Sequence, residues 1–127
     1  NKMKVKPQNP PRKFEVGFDN KTTLIDCGTI ILNSDEQVTF STDKGGEYDV
    51  TRKAWGFYAT PSTNGRLSRF GLRTVLVKNR MDQHFVMLVE KDNEEEFEEY
   101  VAKEPLIIVA WLDDSEDLKK IGNAMEK

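Results

Sequence analysis

The chain has 127 residues, 37% hydrophobic and 32% charged, with a formal charge of -3, a balance that predicts a soluble globular domain large enough to fold without a metal or a disulfide. Its longest apolar run, Leu106 to Leu112, is seven residues, far short of the roughly twenty needed to span a bilayer. Cys27 is the only cysteine, so no intramolecular bridge can form, and a reducing, cytoplasmic setting is expected.

Residues 1–13 hold Lys2, Lys4 and Lys6 and three of the five prolines, Pro7, Pro10 and Pro11. Proline removes a backbone donor and favours extended chain, which predicts a flexible arm ahead of a single α+β domain at 14–127. Phe14, Val16 and Phe18 alternate with Lys13, Glu15 and Gly17, a turn follows at Asp19-Asn20, and Leu24 to Leu32 is mostly apolar, the pattern of a β-hairpin. Gln37 to Thr42 predicts a third strand, closed by the turn chemistry of Asp43-Lys44-Gly45-Gly46. Tyr48 and Val50 open a fourth, whose strand propensity runs on through Trp55, Phe57 and Tyr58 until Thr60-Pro61-Ser62-Thr63-Asn64-Gly65 breaks it.

Leu72 to Lys78 and His84 to Glu90 are β-rich runs joined by five residues, a hairpin-like connection. Asn93 then stands where a helix cap belongs, Glu94, Glu95 and Glu96 suit the positive end of the helix dipole, and Pro105 stops the helix. Leu106 to Leu112 reads as a buried strand, and Asp114 or Ser115 as the cap of a last helix with Leu118, Ile121 and Met125 inward. Strand, helix and strand from Phe85 to Trp111 suggest one β-α-β crossover unit. The expected architecture is α+β: a mostly antiparallel curved sheet or partly open barrel with one β-α-β unit and a C-terminal helix.

The small net charge conceals a partition. Residues 1–49 sum to -1, residues 50–81 to +7 with no carboxylate, and residues 82–127 to -9. The basic cations are Arg52, Lys53, Arg66, Arg69, Arg73, Lys78 and Arg80. Either they are neutralised by the acidic third within the fold, or they form an anion site.

Chemistry-bearing residues are sparse. With one histidine, His84, and one cysteine, Cys27, a structural zinc site lacks its usual three or four ligands. His84, at the start of an apolar strand, reads as a hydrogen-bonded structural residue, and Cys27 as a small buried hydrophobe. Asp26 inside a strand is either solvated or held by a cation, and Asp113 ends a strand where a crevice can lie. No phosphate loop or GxSxG elbow is present, and no cofactor is expected.

The densest constellation runs from Arg52 to Arg73. It sets Arg66, Arg69 and Arg73 beside Tyr58, Thr60, Ser62, Thr63 and Asn64: guanidinium forks suit phosphate or carboxylate, hydroxyls and amides complete an anion shell, and a ring can carry a base or sugar. Trp55 and Phe57 share a strand face by spacing, and core filling is the simpler expectation for Trp55. Lys53-Ala54-Trp55-Gly56-Phe57-Tyr58 is similar to the basic-aromatic-Gly-aromatic strand motif of cold-shock and other single-strand RNA-binding modules. The resemblance implies rings stacking on bases; it covers six residues of 127, and no second motif accompanies it.

The leading expectation is a binding or accessory domain that holds an anion at Trp55 to Arg73: a phosphorylated metabolite, a nucleotide-linked sugar or the acidic surface of a protein partner. One alternative is a small cofactor-independent isomerase or lyase using Asp26, His84 or Asp113 for proton transfer. Another is single-stranded nucleic-acid binding by Trp55, Phe57 and Tyr58, and a homodimer is compatible with each. No membrane partner is expected.

Overall fold

The computed structural model describes residues 3–17 and 21–126, with the Thr60 side chain left out; the expected turn at Asp19-Asn20 lies outside them. Eight strands and two helices form a mixed α+β structure. Every strand pairing is antiparallel, and the strands divide among three separate sheets, none closed into a barrel. No helix among the described residues is long and apolar enough to cross a membrane.

Strand β1 (Lys4–Val16) pairs with β2 (Thr22–Ile31) in a two-stranded hairpin, with Phe14 opposite Leu24 and Val16 opposite Thr22. The pairing continues outward to Lys4 opposite Ile31, so residues 4–13 are strand where the sequence suggested a loose arm. The register shifts between Pro7 and Arg12, because Pro10 and Pro11 have no N–H to give to the neighbouring strand. Gly28 lies at φ +150°, and a Cβ there would come within 2.5 Å of the Lys6 carbonyl oxygen.

The second sheet has the order β3 (Gln37–Ser41), β4 (Glu47–Lys53), β5 (Gly56–Thr60). The single strand expected from Tyr48 to Tyr58 is instead two. Lys53 pairs with Gly56 around a two-residue turn at Ala54-Trp55, and Gly56 takes φ +150°, a value costly for any residue with a Cβ.

In the third sheet β6 (Leu72–Lys78) is central, and β7 (His84–Glu90) and β8 (Ile107–Trp111) flank it. Helix α1 (Glu94–Lys103) joins β7 to β8, which are separated by β6 and do not pair with each other; α2 (Ser115–Met125) closes the chain. Alternation along β6 places Arg73, Val75 and Val77 on one face, opposite Val89, Met87 and Phe85. Val75, Val77 and Val89 form the core cluster there, covered by Phe97 of α1, Leu106 and Trp111. Phe97 meets Trp111 edge to face at 5.9 Å.

Of the two expected caps, Asp114 caps α2, its Oδ1 accepting from the Glu116 and Asp117 amides at 2.8 and 3.2 Å. Asn93 does not cap α1; its Oδ1 accepts from Lys44 Nζ at 2.8 Å. Burial also departs from expectation. Ile107, Ile108 and Val109 are exposed because β8 is an edge strand, and Ile121, Met125, Cys27 and His84 are exposed as well. An unbroken apolar run marks a buried strand only where a neighbouring layer covers both faces, and three small sheets with two short helices do not supply that cover.

Candidate binding surface on the β4–β5 hairpin

The three rings placed in the constellation by sequence point outward. Trp55 occupies the tip of the two-residue turn and is 72% exposed, so core filling is not its role; Phe57 and Tyr58 are exposed too. Tyr58 lies opposite Thr51, and its ring stacks with that of Trp55, centroids 6.4 Å apart and planes 22° from parallel. Phe57 lies opposite Arg52, whose guanidinium carbon sits 5.6 Å from the Phe57 ring centre, within cation–π range. Successive residues face opposite ways, so the Trp55–Tyr58 pair and the Arg52–Phe57 pair clothe the two sides of one protruding tip. The tip is tied down at its base. The Asp35 amide donates to the Arg52 carbonyl, the Arg52 amide donates to the Glu36 carbonyl, and Lys53 pairs with Asp35. The hydrogen bond to Asp35 raises the Lys53 pKa above its usual value.

Beyond β5 the chain folds on itself. Pro61 is buried, and the Ser62 carbonyl accepts from the amides of Gly65 and Leu67 at 3.2 and 3.1 Å. A Cβ on Gly65 would lie 2.4 Å from Ser62 Oγ, so a larger residue there would turn that hydroxyl to another rotamer. A 3₁₀ turn, Arg66–Phe70, follows and packs on β4 and β6 through fully buried Leu67, ending at Gly71 in the left-handed region, φ +81°. Leu67 thereby fixes Arg66 and Arg69 outward. Both are exposed, as are Ser62 and Asn64, with Thr63 half-buried. The Arg66 guanidinium stands 5.7 Å from the Phe70 ring centre.

Six of the seven cations of residues 50–81 divide by partner. Arg73 is matched inside the fold: Nε and Nη2 donate to the two Asp113 carboxylate oxygens at 2.7 and 3.2 Å, Nη1 donates to Glu94 at 3.3 Å, and the guanidinium lies 4.0 Å above the Trp111 ring centre. The Asp113 hydrogen bonds raise its pKa further. Lys53 and Lys78 pair with Asp35 and Asp82. Arg52, Arg66 and Arg69 make no ion pair among the described residues, and two of the three sit against aromatic rings. The basic excess is therefore partly internal; of the remainder, Arg52 flanks the tip, whereas Arg66 and Arg69 belong to the turn that follows the far end of β5. Arg52, half-buried, belongs to that remainder, and the Lys53↔Gly56 turn that sets it against the exposed Phe57 ring carries none of the usual turn residues at its two central positions.

The groups expected to serve proton transfer lie elsewhere. Asp26 pairs with Arg12 at 3.4 Å and accepts from the Gly28 amide, Asp113 is held by Arg73, and His84 is exposed at the first position of β7. None of them lines two cavities, of about 690 and 580 Å³, that open beside β7 and α1. The described residues contain no group of three His, Cys, Asp or Glu side chains placed to hold a metal.

Fold and surface thus define a mixed α+β protein of three small antiparallel sheets with an aromatic, cationic hairpin tip. Comparison with protein-family models, with curated proteins and with solved structures finds no match.

Proposed function

We propose that this chain is a binding module that docks the acidic surface of a protein partner through the β4–β5 hairpin and the 3₁₀ turn that follows it, with Trp55, Phe57 and Tyr58 entering apolar sockets and Arg52, Arg66 and Arg69 meeting carboxylates. The observation that carries the reading is the 72% exposure of Trp55 at the end of a tied-down hairpin, beside Arg52, whose guanidinium makes no ion pair among the described residues. Tryptophan, tyrosine and arginine are the residue types that dominate binding energy at protein interfaces. A small-molecule anion fits less well, because such ligands favour concave sites and the tip is convex. Ser62, Thr63 and Asn64 would add rim hydrogen bonds; Arg73, already satisfied, is left out.

The test begins by selecting peptides from a random display library on the immobilised chain. Acidic peptides carrying one or two apolar residues are expected. Trp55→Ala should cost about 2 kcal/mol, roughly thirtyfold in affinity for a selected peptide, with Arg66→Ala weakening it to a smaller extent and in a salt-dependent way. Rings on opposite sides of the tip do not form one platform for successive bases. Tight binding of a labelled oligothymidylate with no acidic peptide selected would overturn the reading in favour of single strands.

A further inference from the structure

We propose that the free edge of β7 is a docking groove for an extended, basic segment of a protein partner, which joins the third sheet as an added strand. β7 pairs with β6 on one side only, and among the described residues no strand or loop backbone bonds to its other side. Its register fixes which backbone groups are left over. The Lys91 amide donates to the Gly71 carbonyl at 3.1 Å, one step beyond the Leu72–Glu90 pair. Hydrogen-bonded and non-bonded pairs alternate along an antiparallel ladder. Val89 and Met87 therefore direct their N–H and C=O groups to Arg73 and Val75, while Leu88 and Val86 turn theirs to the open edge. The other side of β6 agrees: the Leu112 amide donates to the Thr74 carbonyl at 2.9 Å, so Thr74, opposite Leu88, bonds towards β8.

The open edge lies in a groove. Residues 87–90 all line the cavity of about 690 Å³, although successive side chains of a strand point to opposite faces, so the cavity runs along the edge itself. Phe97 of α1 packs on the face of Val75, Val77 and Val89. Gly46, where the β3–β4 hairpin turns, approaches the Leu72 side chain, which alternation puts on the opposite face. The two elements thus wall the edge from either side, α1 with Phe97 and Tyr100 and the hairpin with Phe40 and Tyr48, which lie opposite each other. An unpaired edge between side-chain recesses is how extended peptides are captured: main-chain bonds hold the strand, and the recesses take alternate side chains.

Charge selects a basic occupant. The cavity is lined by Glu90 and Glu96 and by no lysine or arginine among the described residues, and α1 carries Glu94, Glu95, Glu96, Glu98 and Glu99 against Lys103. Glu90 is engaged by the Thr42 hydroxyl and the Asn93 amide at 2.9 and 3.3 Å, and Lys44 reaches the Asn93 Oδ1 at 2.8 Å. The exposed Glu96 makes no ion pair among the described residues. Lysine or arginine of an incoming strand lays its aliphatic stem against the aromatic walls and brings its charge to Glu96. A second copy suits the edge less well, because antiparallel pairing of two β7 strands about a two-fold axis sets both acidic helices on one face of the joined sheet.

The probe is a short fluorescein-labelled peptide alternating valine and lysine, titrated with the 127-residue chain and followed by anisotropy. It should bind about tenfold or more tightly than the same peptide with glutamate in place of lysine. N-methylation of all its backbone amides keeps the charge and removes the ladder, and should weaken it about tenfold or more. Val86→Pro removes an edge donor that β6 does not use and should weaken binding about tenfold; Glu96→Lys should weaken it about fivefold, in a salt-dependent way. Both positions are exposed, and circular dichroism verifies that each variant is folded. Amide hydrogen exchange gives an independent reading. Saturating peptide should slow exchange at Val86 and Leu88 about tenfold or more, with little change at Met87 and Val89, already bonded to β6. No saturable binding of the lysine peptide up to about 1 mM, equal binding of its N-methylated form, or binding without new protection at Val86 and Leu88 would overturn the proposal. A dimer in which those two amides are already protected would overturn it in favour of a second copy.

Discussion

Arg73→Met tests whether the internal pairing of the basic and acidic thirds stabilises the fold. Methionine keeps most of the side-chain volume and removes the guanidinium that holds Asp113 by two hydrogen bonds, Glu94 by one and Trp111 by its ring face. The Asp113 side chain is only 14% exposed and the Glu94 side chain 44%. The fork to the sheltered Asp113 carboxylate is worth about 1.5–3 kcal/mol, the ring contact about 1 and the exposed Glu94 bond about 0.3. Part of this is shared among contacts, and Asp113 is left without its partner, so the expected loss is about 3 kcal/mol, or roughly 10 °C in Tm. Urea and thermal denaturation followed by circular dichroism measure it. Arg73→Lys should recover less than half, because an ammonium cannot form the two-pronged bond, and Glu94→Gln alone should cost about 0.5 kcal/mol at most. A loss below about 1 kcal/mol for Arg73→Met, or full stability for Arg73→Lys, would refute the reasoning.

Two further outcomes concern a buried hydroxyl and groups whose pKa the fold raises. Thr74 is buried at the centre of β6, and its hydroxyl finds no partner among the described residues; Thr74→Val keeps the branched shape and should raise stability by about 1 kcal/mol in urea denaturation. No gain would mean that the hydroxyl is satisfied in solution. Burial raises the phenol pKa of Tyr48 and Tyr100, and hydrogen bonds to Asp35 and Asp113 raise those of Lys53 and Arg73. In each case the folded chain holds a proton that the unfolded chain releases first, so the stability is complete below the unfolded pKa and is lost as pH rises through the folded value. The urea midpoint should therefore fall as pH rises above about 10, and Tyr48→Phe should remove part of that fall. A midpoint that stays level across this range would contradict the assignment.

The local code of this chain was legible because it depends on neighbours in sequence. The runs Leu72–Lys78 and His84–Glu90, the third strand, the Asp114 cap and the α+β class follow from alternation, turn residues and capping chemistry, all of which act within a few positions. The β4–β5 turn was missed because Ala54-Trp55 lacks the usual turn residues and only the φ of Gly56 marks it. The candidate surface was half legible. Charge counting located the basic segment, but which cations remain without a carboxylate depends on Asp113 and Glu94, 40 and 21 residues from Arg73. Exposure of Trp55 and of the β8 isoleucines was decided by the number of layers available to cover them, a property of the assembled sheets. The sequence by itself determined most of the strand segments and where the cations cluster; tertiary structure alone decided which apolar faces are covered and which charges are matched, because burial and ion pairing join residues that the chain holds far apart.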